Sequence, residues 1–137
     1  MKLKTKFEFD AAHRLVGYEG KCLNLHGHRW VVEIEIEGEG VGNVGIMWDF
    51  TNVKEIEKMF DHKTILKDCK ENEKLIEAII DSMRGTTDYK NSVYKMKENP
   101  TAEMLCKEIL GYLQEENNLK FKVRVWESPK SWCEIEG

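Results

Sequence analysis

Three of the four histidines in this chain, His13, His26 and His28, have a spacing that suits metal chemistry. His26 and His28 flank one glycine in the run Cys22-Leu-Asn-Leu-His26-Gly-His28. Residues two apart on an extended strand point to the same face. The two imidazoles therefore stand side by side, and His13 adds a third from a neighbouring strand. Three neutral imidazoles are good ligands for zinc and leave its fourth position open, which separates a catalytic zinc from a structural one. Iron, cobalt and nickel are chemically compatible with the same donors.

Cys22 admits three readings on spacing alone. It is a thiolate that handles a proton beside the metal, a fourth ligand that closes the site, or a small buried hydrophobe. His62 directly follows Asp61. A carboxylate bonded to one imidazole nitrogen fixes the tautomer and raises the basicity of the other; the plainer alternative is a local hydrogen bond at a helix end. Glu127 stands where the alternation of Phe121, Val123 and Val125 predicts an apolar side chain. A carboxylate buried there needs a partner, such as the N–H edge of a guanine-like or pterin ring. Otherwise the strand has ended and Glu127 sits in water at a rim. Cys69, Cys106 and Cys133 read as packing or surface thiols.

Two strands must position the histidines. Residues 2–9 alternate, with Leu3, Thr5, Phe7 and Phe9 against Lys2, Lys4, Lys6 and Glu8, the pattern of a half-buried strand. Its parity carries Ala11 and His13 to the apolar side. Residues 29–37 alternate again through Trp30, Val32, Ile34 and Ile36, and the parity run backwards reaches His28 and His26. A one-residue slip would turn all three histidines to solvent.

The glycine-rich stretch Gly38 to Gly45 predicts a loop, followed by a short apolar stretch at Ile46-Met47-Trp48. Asp49 to Thr51 offers capping residues for a helix with Val53, Ile56, Met59 and Phe60 on one face. A second helix is expected over 71–84, with Gly85 as its stop. A polar loop is expected over 86–92, then a short strand at Val93 to Met96. A third helix starts at Asn99-Pro100-Thr101, buries Ala102, Leu105, Ile109, Tyr112 and Leu113, and ends at Asn117-Asn118. Strands over 120–127 and 131–136 complete the chain. Two hairpins flanking a helical segment predict an α+β domain, an antiparallel four-stranded sheet with helices on one face.

With 137 residues, 41% hydrophobic, the chain reads as one domain, 1–137, able to bury a core. Its net charge of −4 argues against a nucleic-acid partner. No apolar run approaches the roughly 18–20 residues of a membrane span, and the alternating N-terminus lacks the apolar centre of a signal peptide. No pair of cysteines forms a CxxC motif. Together these predict a cytoplasmic protein with free thiols.

Six segments in order resemble the 6-pyruvoyl-tetrahydropterin synthase superfamily: Phe9-Asp-Ala-Ala-His13, Cys22 to His28, Gly45-Ile-Met-Trp-Asp49-Phe50, Phe60-Asp61-His62-Lys63, Asn99-Pro100-Thr101-Ala102-Glu103 and Val125-Trp-Glu127-Ser128. Each is weak alone, and their combination is specific. The three residues between Cys22 and His26 look like the queuosine (7-deazaguanine) branch of that superfamily. Residues 67–98 are longer than the matching segment of the shortest members. The resemblance implies zinc on His13, His26 and His28. It implies Cys22 as the proton-abstracting thiol, with Asp61 and His62 as its partner dyad. Glu127 becomes the anchor of a pterin ring, with the Thr101 region lining the pocket. The implied fold is the T-fold, ββααββ, whose sheets join between subunits into β-barrels. The implied assembly is a homohexamer of two stacked trimers with active sites between subunits. The implied reaction converts 7,8-dihydroneopterin triphosphate to 6-carboxy-tetrahydropterin, releasing acetaldehyde and triphosphate. The alternatives are pyruvoyl-type chemistry, which stops after triphosphate elimination, and a non-catalytic zinc- and pterin-binding oligomer.

Overall fold

The computed structural model describes residues 1–87, 91–115 and 118–137. Its elements in chain order are β1 (Lys2–His13), β2 (His26–Glu37), α1 (Val53–Phe60), β3 (Lys63–Lys67), α2 (Glu73–Ser82), β4 (Val93–Met96), α3 (Ala102–Glu115), β5 (Lys120–Ser128) and β6 (Ser131–Glu136). The expected end of the third helix at Asn117 and the middle of the expected 86–92 loop lie outside the described residues.

One sheet runs in the order β4-β3-β1-β2-β5-β6. β1, β2, β5 and β6 are antiparallel neighbours. β3 and β4 add to the β1 side in parallel. The expected four-stranded antiparallel sheet is therefore corrected to six strands in a mixed sheet. The strand missing from the sequence reading is β3. Its centre, Ile65-Leu66, is fully buried at both positions. A strand buried on both faces reads as a short apolar run with no alternation.

Alternation places the rest. Phe7, Phe9, Ala11 and His13 on β1, Trp30, Val32, Ile34 and Ile36 on β2, and Phe121, Val123 and Val125 on β5 are all buried. This face packs on α1 through Ile56 and Phe60, and on α3 through Leu105, Cys106, Ile109, Leu110 and Leu113. Each such large apolar side chain contributes about 1.5–3 kcal/mol on burial. Phe9 stacks on both Trp30 (6.0 Å) and Phe60 (5.4 Å), forming a rigid wall below the histidine end of the strands. Cys106 is part of this core, as a packing thiol should be.

The helix starts follow their caps. The Asp49 carboxylate accepts from the Thr51 N–H (2.9 Å) and hydroxyl (2.8 Å) ahead of α1. The Thr101 hydroxyl accepts from the Met104 N–H (3.3 Å) at the head of α3. The 67–98 segment supplies α2 and β4. Among the described residues, no helix is long and apolar enough to cross a membrane.

Candidate active site

The β1–β2 register sets His13 opposite His26 and Ala11 opposite His28. The three imidazoles meet at one strand end with ring centroids 4.6–5.1 Å apart, and one nitrogen from each lies within 4.8 Å of the others. Two tautomers follow from the partners. His13 Nδ1 lies 2.7 Å from the Pro100 carbonyl, and His26 Nδ1 lies 2.7 Å from the Asn24 carbonyl. A carbonyl only accepts, so both Nδ1 atoms carry the proton. Their Nε2 atoms face each other at 3.1 Å.

Burial holds His13 below the ordinary imidazole range, and the Pro100 bond only partly opposes it. His28 is lowered by burial as well, against the pull of Glu127. Its Nε2 is buried with no hydrogen-bond partner. Neutral imidazoles with lone pairs aimed at one point, and a buried nitrogen left unpaired, fit a cation among them. The residues present therefore suit zinc.

Glu127 joins this site. Its Oε1 is 3.8 Å from His28 Nε2. The strand continues through Ser128 and carries a bulge between Trp126 and Ser128. A bulge re-aims the side chain it inserts. Glu127 is about one third exposed, so it lies at the rim while still facing the histidines.

Cys22 sits in a 3-10 turn, Lys21–Leu23, within the connection between β1 and β2. Its carbonyl accepts from the Leu15 N–H at 2.8 Å. Asn24, two residues on, supplies the carbonyl that orients His26.

Asp61 and His62 form the expected pair, with His62 Nδ1 2.9 Å from Asp61 Oδ2. Asp61, through this bond and its charge, raises the His62 imidazole above its ordinary value. The turn that carries them is strained and strongly held. His62 is the single non-glycine residue with positive φ (58°) among the described residues. Its N–H donates to the Asp10 carbonyl (2.7 Å), and Asp61 Oδ1 accepts from the Asp10 N–H (3.1 Å). His62 borders a depression of about 510 Å³ lined also by Asp10, Ala12, Gly27, Arg29 and His28 of the histidine cluster. The dyad is thus tied to the backbone of β1 beside the β1–β3 pairing. Among the described residues, no hydrogen bond or ion pair joins Cys22 to Asp61 or His62 within one chain. Thr101 caps α3 beside Pro100.

Sequence reasoning missed the carbonyls of Pro100 and Asn24 and the side chain of Asn99. The first and last act across 87 and 83 residues of chain, a separation at which local pattern carries no signal.

A helix-backed α+β sheet with three imidazoles converging at a strand end, beside a bulge-borne glutamate, defines the pterin-synthase class of folds. The 6-pyruvoyl tetrahydropterin synthase family model matches residues 2–137, and the chain belongs to that family. It is 34% identical to the 6-carboxy-5,6,7,8-tetrahydropterin synthase of Rickettsia bellii, covering 98% of this chain and 99% of that protein. Identity to the same-named protein of Haemophilus influenzae is 31%, with 98% of each chain covered. The expected enzyme class agrees with these relatives. A solved Plasmodium vivax 6-pyruvoyltetrahydropterin synthase shares the fold, with a TM-score of 0.69 at 20% identity, covering 100% of this chain and 97% of that one.

Proposed function

We propose that the protein is a cytoplasmic, zinc-dependent lyase that converts 7,8-dihydroneopterin triphosphate to 6-carboxy-5,6,7,8-tetrahydropterin, releasing acetaldehyde and triphosphate, in queuosine (7-deazaguanine) synthesis. The convergence of His13, His26 and His28 beside Glu127 carries this reading, together with near full-length similarity to relatives of that name. Held by the three histidines, zinc would supply Lewis acidity to oxygens of the substrate side chain.

The chain's own residues do the rest. Glu127 accepts hydrogen bonds from the 2-amino and N3–H edge of the pterin and fixes its orientation. The Thr101 region lines the pocket. Cys22, as thiolate, removes a side-chain proton. His62, made basic by Asp61, returns protons from its exposed Nε2.

Among the described residues Cys22 and the dyad carry no mutual bond, and the reading includes a second copy that brings a thiol and a dyad together. We place the site between subunits of a homohexamer built from two trimers. Two open edges support this. β3 pairs with β1 only at Ala11–His13, which leaves Lys2–Asp10 without a strand neighbour on that side. β6 is the opposite edge. On the polar face the first edge carries Lys2, Lys4 and Lys6, and the second carries Glu134 and Glu136. Head-to-tail pairing of complementary edges closes a ring and removes exposed strand edges.

The test is product identity by mass spectrometry after incubating the zinc-loaded protein with 7,8-dihydroneopterin triphosphate. 6-Carboxy-tetrahydropterin with acetaldehyde is expected. A pyruvoyl product without acetaldehyde, or pterin binding without turnover, would overturn the assignment.

A further inference from the structure

The connection between β1 and β2, residues 14–25, carries Cys22 and the Asn24 carbonyl that orients His26. A loop of this length has few internal bonds to hold it, and three of them cluster around Cys22: Leu15 N–H to the Cys22 carbonyl (2.8 Å), Leu23 N–H to the Gly20 carbonyl (3.2 Å) and Asn24 N–H to the Lys21 carbonyl (2.9 Å). Besides the Asn24–His26 bond, one distant side chain ties this loop to the segment ahead of α3. Asn99 Oδ1 accepts from the Val16 N–H at 2.9 Å, and Asn99 Nδ2 donates to the Val16 carbonyl at 2.8 Å. The amide orientation is dictated by these partners, since a flipped group would set donor against donor and acceptor against acceptor. Asn99 thus pairs with Val16 as a strand neighbour would. The next residue, Pro100, is buried and offers its carbonyl to His13 Nδ1 (2.7 Å). Behind it, the Leu105 N–H bonds to the Thr101 carbonyl (2.9 Å) and anchors the segment to α3.

We propose that Asn99 is a positioning residue: its two-bond clamp on Val16 sets the Cys22 loop at a fixed distance from the segment that orients His13. The thiol and the metal-binding imidazoles come from separate parts of the chain, and residues 99–100 are where both are referred to one rigid support. Ala or Leu at 99 removes both bonds to Val16 and leaves the Pro100 carbonyl itself unaltered. The clamp therefore governs the thiol, while the carbonyl beside it governs the histidine. In its effect on turnover this inference rests on the proposed role of Cys22, and the measurements below separate the two.

Asn99→Ala tests it, with Asn99→Asp as the isosteric companion that keeps the bond from the Val16 N–H and sets an oxygen against the Val16 carbonyl. Hydrogen exchange, zinc affinity, steady-state kinetics and Cys22 alkylation by iodoacetamide are read together, the last by mass spectrometry with Cys69 as internal reference. For Asn99→Ala, exchange at Leu15 and Val16 rises about tenfold or more. Cys22 alkylation changes at least about threefold relative to Cys69. Zinc affinity stays within about threefold, because Pro100 remains anchored. The kcat falls about tenfold or more with KM within about threefold, since the acid–base contribution at stake is about 10²–10⁴-fold. Asn99→Asp falls between wild type and Asn99→Ala in exchange and kcat, and it carries the test where Asn99→Ala does not fold. Unchanged exchange at Val16 would overturn the clamp. An unchanged Cys22 alkylation ratio, or a proportional fall of kcat and zinc affinity, would overturn its selective action on the thiol. Exchange and alkylation need no turnover, so a protein inactive on the pterin triphosphate would sink the assigned reaction and leave the clamp to be judged on those two readouts.

Discussion

On β1 and β2, side chains at Phe9, Ala11, His13, His26, His28 and Trp30 face the helices, while those one position away face the polar side, and the two sets handle charge in opposite ways. On the helix side His13 is buried, burial draws His13 and His28 toward neutrality, and the three imidazoles converge on one another. On the polar side Lys2, Lys4, Glu33, Glu35 and Glu37 on these strands, with Lys122, Arg124, Glu134 and Glu136 on β5 and β6, alternate in sign strand by strand. They satisfy one another in pairs such as Lys4–Glu35 (3.3 Å) and Arg124 Nε to Glu134 (2.8 Å). The lesson is one of dielectric. Exposed pairs are screened and individually weak, whereas imidazoles taken out of water lose their protons and become ligands. A shift of one residue along the same backbone separates a solvated charge ladder from a candidate metal centre.

The comparison breaks most severely at the buried end. His26→Ala removes one of three ligands, and zinc affinity falls by more than the roughly 10–100-fold typical of losing a supporting partner, with turnover lost alongside. Cys22→Ala keeps the metal and lowers kcat by about 10²-fold or more. Metal analysis beside kinetics separates the two, and loss of zinc from Cys22→Ala would make the thiol a ligand.

A smaller effect sharpens the contrast through pH. His13 and His28 are held below the ordinary 6.5 by burial. As pH falls through 6.5, the unfolded chain takes up protons that the folded chain refuses. The contribution of these two histidines to the stability of the metal-free protein is therefore full above that value and declines below it, opposite in sign to that of His62, which Asp61 raises. Thermal midpoints of metal-free His62→Ala, which removes the opposing group, at pH 7.5 and 5.5 measure this; an equal or higher midpoint at 5.5 would contradict it. The smallest effect is expected on the other face. Glu35→Gln removes a partner of both Lys2 and Lys4, yet should leave the thermal midpoint of one subunit within measurement error, because both lysines are largely exposed and Lys2 keeps Glu37. A marked loss would mean that this face is buried by something else, as an assembled barrel would bury it.

Much of the site was legible in sequence because it obeys strand parity. The alternation that buries Phe9 and Trp30 extends without interruption to His13, His26 and His28, and both strands run as far as that parity requires. Glu127 stood out for the same reason, as a carboxylate on an apolar parity. β3 did not, since a doubly buried pair of residues has no period. The bulge at Glu127 and the positive φ of His62 were equally silent. Both are settled by contacts made after the chain has folded.

Sequence by itself determined the chemistry available: which donors exist, which face each occupies on an alternating strand, and where the alternating strands and amphipathic helices lie. Tertiary structure alone decided the tautomers of His13 and His26, through the carbonyls of Pro100 and Asn24. It also decided the anchoring of the Cys22 loop through Asn99. The physical reason is range. Side-chain alternation is a property of neighbours along the backbone, whereas a hydrogen bond between residues more than 80 positions apart exists only once the sheet and α3 have brought them together.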